Sequence, residues 1–267
     1  MTLFLLRDDD ANATTDPERL ARTFAPLLDA GLPINFSVIP EVALDTRAPD
    51  GQRERFLSEA WPDEDRCVTL TAAAPVARWL ADHPAQAEAL VHGLSHRRVR
   101  GGTEFGALTY EEARVRIARG KSLLRDAIGE APTGFVAPWD ALSQGSLQAA
   151  VGECSLVSTS WLGRGRLRLR WWPAHVRERL TKSEAVALGG AWVLRHRGGL
   201  IGPDVAAQDV GAVLARLAAG ARVCVVVLHH WMFWERPEPH PVVRALAAAL
   251  RGRTVLRARD CVEALRS

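Results

Sequence analysis

The stretch Leu5-Leu6-Arg7-Asp8-Asp9-Asp10-Ala11-Asn12 carries an apolar run of strand type straight into three consecutive carboxylates. Adjacent negative charges repel, so such a cluster suits an open surface, or a place where a bound cation or a neighbouring Arg offsets the repulsion. A second stretch, Leu90-Val91-His92-Gly93-Leu94-Ser95-His96, also ends an apolar run and sets two imidazoles four residues apart. That is about one helical turn, so both rings can face one point. One Asp oxygen and two His nitrogens make a three-ligand divalent site with positions left open for water and substrate. The rest of the chain is the scaffold that brings these two stretches together.

Outward from Arg7, strand-like and helix-like segments alternate to the end of the chain, the pattern of β/α units around a parallel sheet. Asp16-Pro17 supplies an N-cap and a first-turn proline ahead of Leu20, Phe24, Leu27 and Leu28 at helical spacing, and Gly31 ends that helix. Residues 34–39 form a strand closed by Pro40, 41–65 a long loop, 75–82 a short helix and 89–92 a third strand. Thr109-Tyr110-Glu111-Glu112 is a capping box opening a helix to Ile128. Further strands are expected at 134–137, 156–160, 192–196, 223–229 and 254–257, and further helices from Ser143 and over 204–219, 241–250 and 260–265. About seven strands in such units predict an α/β fold, an irregular TIM-like (β/α) barrel. The unusual residues stand at strand C-terminal ends: the Asp triplet, His92, Pro138-Trp139, Trp161 and His229-His230. In such barrels that rim is where the site is built.

Composition narrows the class. The chain has 267 residues, 48% of them apolar, with no legible linker or repeat, which predicts one domain over 1–267. The chain opens on the strand 2–6 without a basic, apolar leader, and the run 223–228 is far short of the ~20 residues that span a bilayer, so a cytoplasmic protein is expected. Cys67, Cys154, Cys224 and Cys261 are scattered, as reduced thiols are. A formal charge of +3 does not define a nucleic-acid binder. Arg164, Arg166, Arg168 and Arg170 alternate with small or apolar residues, so on a strand they would share one face, suited to phosphate or carboxylate. Lys occurs only at positions 121 and 182, however, so Arg supplies most of the basic surface and such rows also arise without a ligand.

Taken in order, these motifs resemble the polysaccharide deacetylase family, the NodB-homology group of carbohydrate esterases, and in particular a divergent branch with R-x-D-D and F-V-x-P-W motifs. The resemblance runs from Arg7 to His230. It implies that Asp9 is the catalytic base and Asp10 a metal ligand, with Asp8/Asp9 as the alternative pair. It implies that His92 and His96 are the other ligands of a divalent ion, most simply zinc. Phe135-Val136-Ala137-Pro138-Trp139 resembles the third motif, and the resemblance implies an oxyanion contact from the backbone N–H of Trp139. Val226-Val227-Leu228-His229 resembles the fifth, which makes His229 the proton donor to the leaving amine, with His230 as the alternative.

There are two departures. The family's third-motif Arg is missing, since Phe135 or Val136 stands in its place, and Ser158-Thr159-Ser160-Trp161 keeps the fourth-motif Trp without its carboxylate. Arg7, two residues before Asp9 on a strand, is aimed into the same interior and is expected to hold Asp9 ionised. Arg7, Trp139 and Trp231 complete the expected site on its substrate side. Val227 and Leu228 are candidates for pocketing an acyl methyl, and indole faces suit sugar rings. Glu104, just past the His motif, reads as an ordinary loop carboxylate. The resemblance implies a metal-dependent deacetylase acting on an N-acylated amino sugar, and the opening without a leader makes the expected substrate an intracellular one, nucleotide-linked, lipid-linked or oligosaccharide, on the way to a surface polysaccharide. The alternatives are a non-catalytic sugar-binding barrel, or a barrel metalloenzyme of isomerase or aldolase type.

Overall fold

The computed structural model describes residues 2–48, 50–58, 60–160, 167, 169–174, 176, 184–196, 198–235 and 238–267. Its elements are β1 (Leu3–Asn12), α1 (Pro17–Leu28), β2 (Ile34–Ile39), β3 (Glu41–Ala43), β4 (Cys67–Thr69), α2 (Pro75–Asp82), β5 (Ala87–His92), α3 (Tyr110–Ile128) and β6 (Gly134–Val136). They continue as α4 (Gln144–Glu153), β7 (Leu156–Thr159), β8 (Ala185–Leu188), β9 (Ala191–Arg195), α5 (Val210–Ala218), β10 (Val223–Leu228), α6 (Pro241–Leu250) and α7 (Ala258–Arg266). Local chemistry explains the helix starts. Asp16 accepts from the N–H of Glu18 at 2.9 Å, Thr109 and Glu112 form the expected capping box, and Ser143 accepts from the N–H of Ser146 at 2.9 Å.

Among the described residues the main sheet has eight strands in the order β10-β1-β2-β5-β6-β7-β9-β8. Every pairing is parallel except that of β8 on β9. The gap between β9 and β10 is bridged by the chain after β9: Val227 N–H donates to Gly199 O at 2.8 Å, and Ile201 N–H donates to Val227 O at 2.9 Å. The result is a nearly closed barrel.

Alternation along the strands divides the core in two. Leu5, Leu90, Val136, Leu156, Leu194, Val223, Val225 and Val227 fill the barrel with Ala258, Cys261, Val262 and Leu265 of α7, which plugs the lower end. Phe4, Leu6, Val91, Phe135, Val157, Val226 and Leu228 face outward into the layer packed by the helices. Asn35 seats the plug: its Oδ1 accepts from the N–H of Ala258 at 2.7 Å, and its Nδ2 donates to Leu6 O at 2.8 Å.

Three expectations about elements are corrected, and one strand is added. Residues 254–257 make no strand, because only Val255 bridges Phe4 before Asn35 turns the chain into α7. The loop expected over 41–65 opens with β3, which pairs antiparallel with β4 just beyond it. The helix expected from Asp204 begins at Val210, after a short 3-10 turn at Ala207–Asp209. β8 was not anticipated, although Gly189-Gly190, at φ 57° and 96°, is a hairpin signal. Of the arginine row, Arg164, Arg166 and Arg168 lie outside the described residues, as do Trp161 and the side chain of Arg170. Among the described residues, no helix is long and apolar enough to cross a membrane.

Candidate active site

In a regular strand Arg7 and Asp9 would point into the barrel, and Asp8 and Asp10 away from it. Asp8 follows the rule, but Asp10 does not. The pairing of β1 with β2 shifts between Asp8 and Ala11, and Asp10 sits in the left-handed region at φ 76°. This bulge turns a second consecutive carboxylate inward, so Asp9 and Asp10 line one cavity. A non-glycine residue in this region costs on the order of 1–3 kcal/mol, and such strain concentrates at functional sites.

Asp10 Oδ1 lies 3.2 Å from His92 Nε2 and 3.4 Å from His96 Nε2. Donors bonded at 2.0–2.1 Å to one ion at tetrahedral angles stand roughly 3.3 Å apart, so the three residues fit a divalent metal. All three are buried, with one ligand atom from each lying within 4.8 Å of the others. His92 Nδ1 faces Val136 O at 3.3 Å, which favours the tautomer that leaves Nε2 free to ligate. Burial holds His96 down to about 3, so its imidazole is in the neutral form a ligand needs. For Asp10, burial opposes ionisation, but the hydrogen bond from His92 and the charges of the nearby histidines outweigh it and hold the carboxyl well below its usual range.

Beside this triad, Arg7 Nη2 donates to Asp9 Oδ2 at 2.7 Å and Nη1 donates to Ser158 Oγ at 2.6 Å. Burial pushes the Asp9 carboxyl up, but Arg7, His92 and His229 together hold it below its ordinary value. Among the described residues its Oδ1 is buried without a hydrogen-bond partner. Arg7 lines the cavity but is 1% exposed, and each of its terminal nitrogens bonds a neighbouring side chain. Ser158, from the half-kept fourth motif, thus anchors the arginine.

The two histidines after β10 part company. His229 lines the cavity, with Nε2 at 3.6 Å from Asp10 Oδ2. His230 is fully buried on the outer face, where its N–H donates to Asp8 Oδ1 at 2.7 Å and its Nδ1 lies 2.8 Å from Asp8 Oδ2. This pair ties the turn after β10 to β1 and holds His229 inward. Trp231 Nε1 donates to Asp10 Oδ2 at 3.0 Å, so that indole steadies a candidate ligand as well as lining the cavity. Val227 also lines the cavity, whereas Leu228 is buried in the outer layer and cannot pocket an acyl group.

Four acidic or basic residues of the site carry no motif. Glu104, expected to be an ordinary loop carboxylate, is fully buried: it accepts from the N–H groups of Leu94, Ser95 and His96 and pairs with Arg116 at 2.9 Å. It shapes the turn between the two histidines. Gly93 allows the packing, because a Cβ there would lie 2.5 Å from Pro138 Cγ and 2.6 Å from Glu104 Oε2. Glu54 reaches in from the segment between β3 and β4 and accepts from Trp139 Nε1 at 3.0 Å. Asp140 and His196 pair at 2.9 Å on the cavity wall. Trp139 packs on His96, ring centroids 3.9 Å apart.

The barrel is of the kind found in the family 4 carbohydrate esterases, the polysaccharide deacetylases. The chain is similar to a family 4 acetyl xylan esterase from Clostridium thermocellum in complex with a cobalt ion, at TM-score 0.51 and 15% identity over 99% of this chain and 92% of that one. It is also similar to the Xyl-CE4 domain of a multidomain xylanase from the hindgut metagenome of Trinervitermes trinervoides, at TM-score 0.53 and 10% identity, covering 99% and 91%. A third is a family 4 carbohydrate esterase from Streptomyces lividans in complex with acetate, at TM-score 0.51 and 10% identity, covering 95% and 90%. No protein-family model matches the sequence and no curated protein does, so the likeness is one of fold.

Proposed function

We propose that the protein is a metal-dependent amide hydrolase that removes an N-acyl group, most simply acetyl, from an amino sugar. The observation that carries the proposal is that the Asp10, His92 and His96 donor set shares one cavity with an arginine-held aspartate whose second oxygen has no partner among the described residues. A divalent ion on those three residues, zinc by their mixed nitrogen and oxygen donors, supplies Lewis acidity toward a carbonyl and toward water. Asp9, kept ionised by Arg7, takes the proton of the attacking water on Oδ1. The backbone N–H of Trp139 donates to the substrate oxygen that gains charge. His229 gives a proton to the departing amine, a poor leaving group unless protonated. Val227 offers apolar surface to the acyl methyl, and Trp139 and Trp231 offer faces to the sugar ring.

The solved structures of similar fold include one named an acetyl xylan esterase and a carbohydrate esterase in complex with acetate, which supports this reaction class. The test is to incubate zinc-loaded protein with a panel of N-acetylated sugars, free, nucleotide-linked and oligomeric, and to follow acetate and new primary amine. Release that stops on chelation and returns with metal is the expected outcome. Release that survives chelation would remove the metal from the reaction, and no release across the panel would remove the reaction.

A further inference from the structure

Asp140 lines the cavity, yet none of the steps above uses it. It follows Trp139, and both stand in the left-handed region, at φ 54° and 49°. Asp is among the few non-glycine residues that adopt that backbone readily, and here it places a carboxylate on the cavity wall. The carboxylate is held firmly. His196 Nε2 lies 2.9 Å from both oxygens, Arg7 Nη2 is 4.0 Å from Oδ1, and the Thr159 hydroxyl donates to the Asp140 carbonyl at 3.0 Å. Burial works against its charge, but His196 and Arg7 prevail and keep it ionised.

Arg7 is already committed to Asp9 at 2.7 Å, so Asp140 is not its main partner. Two carboxylate oxygens have about four acceptor positions, and a single N–H of His196 leaves most of them open. The Asp140 side chain is 28% exposed. Asp9 Oδ1, in the same cavity, is buried without a partner among the described residues and is reserved for the attacking water, which leaves the open positions of Asp140 for other donors. The open acceptor positions of Asp140, beside Trp139 and Trp231, match a ligand that carries hydroxyl groups on an apolar ring.

We propose that Asp140, fixed by His196, accepts hydrogen bonds from ring hydroxyls of the bound amino sugar and so determines which sugar the cavity takes. This rests on the reading of the cavity as an amino-sugar site. His196 acts through Asp140 and is a positioning residue.

The experiment is calorimetric titration of zinc-loaded Asp9→Asn protein, expected to hold ligand without turning it over, with and without Asp140→Gly. The ligands are N-acetylglucosamine and its 3-, 4- and 6-deoxy forms. Without the substitution, at least one deoxy form is expected to bind roughly tenfold more weakly than the parent sugar. Asp140→Gly is expected to bind parent and deoxy form alike, at the weaker level. Glycine suits the backbone here, and Asp140→Asn serves as a second variant that keeps the side-chain shape. His196→Ala should shrink the discrimination and His196→Gln, which still donates, should restore part of it. Equal discrimination with and without Asp140, or no sugar binding at all, would overturn the proposal. Discrimination that depends on Asp140 in a protein whose wild type releases no acetate would sustain it while removing the deacetylase reading.

Discussion

Arg7 Nη2 and Asp9 Oδ2 meet at 2.7 Å between side chains that are 1% and 6% exposed. Their spacing of two residues on β1 makes this possible, because it puts both on the inner face of the barrel one step apart. A buried charge with a partner is tolerated, and one without a partner is not. Arg7 therefore supplies, from the same strand, the positive partner that this buried carboxylate needs.

The sign of its removal follows. Arg7 lowers the Asp9 carboxyl, and a base must be ionised to act. Arg7→Met should move the acidic limb of the rate profile to higher pH, with Arg7→Lys shifting it less. The unpaired buried carboxylate should also lower stability by on the order of 3–5 kcal/mol. An acidic limb that stays in place in a folded Arg7→Met protein would show that Arg7 has another task.

The donor set predicts about one divalent ion per chain. His92→Ala and His96→Ala should each abolish retention of zinc through gel filtration, read by elemental analysis. Asp8→Asn should keep the ion, since Asp8 faces away from the cavity and bonds His230. Zinc retained by both histidine variants would place the metal elsewhere.

Glu104 supports the same centre from behind. It binds three successive N–H groups, including that of His96 at 2.9 Å, so it sets where the His96 ring stands. Glu104→Ala should weaken metal affinity by roughly tenfold or more, as loss of outer-shell partners does. Competition with a chelator of known strength measures this, and unchanged affinity would make Glu104 a matter of stability alone.

Sequence pattern and structure agree most where periodicity and punctuation are strong. The helices α1, α3 and α6 were legible from caps and apolar spacing, and the strand ends carrying Asp10, His92 and Trp139 from the break between apolar runs and polar residues. That Asp9 and Asp10 rather than Asp8 and Asp9 face the cavity could not be read from alternation, because three identical residues carry none and the bulge at Asp10 breaks parity. His229 and His230 were equally ambiguous: β10 is apolar on both faces, so nothing in Val223–Leu228 marks which face is inward. Glu54, Asp140 and His196 sit in no recognisable spacing. Their partners are 85 and 56 residues away in the chain, and only the closed barrel brings them to one rim.

Glu54 gives a pH dependence with a definite sign. Burial, and after it the charge of Asp10, push its carboxyl up to about 7 from an ordinary value of 4.5. Between those values the folded protein binds more protons than the unfolded one, so stability falls as pH rises through the window. Glu54→Gln keeps an acceptor for Trp139 and cannot ionise. In metal-free protein its melting temperature, relative to wild type, should rise from about pH 5 to about pH 8. A difference that does not change with pH would show that Glu54 ionises freely.

The choice between an enzyme and a sugar-binding barrel turns on Asp9. Its Oδ2 is fixed by Arg7 and its Oδ1 has no hydrogen-bond partner among the described residues, which suits proton transfer. Asp9→Asn is nearly isosteric and leaves Asp10, His92 and His96 in place, so metal retention should persist. Loss of the base should lower turnover by about 10²–10⁴-fold, read as acetate and free amine released from N-acetylated sugars. Equal release by both proteins would shift the proton to another group. A wild type that binds these sugars and releases nothing would favour the binding barrel, and in that protein Asp9→Asn should change affinity only.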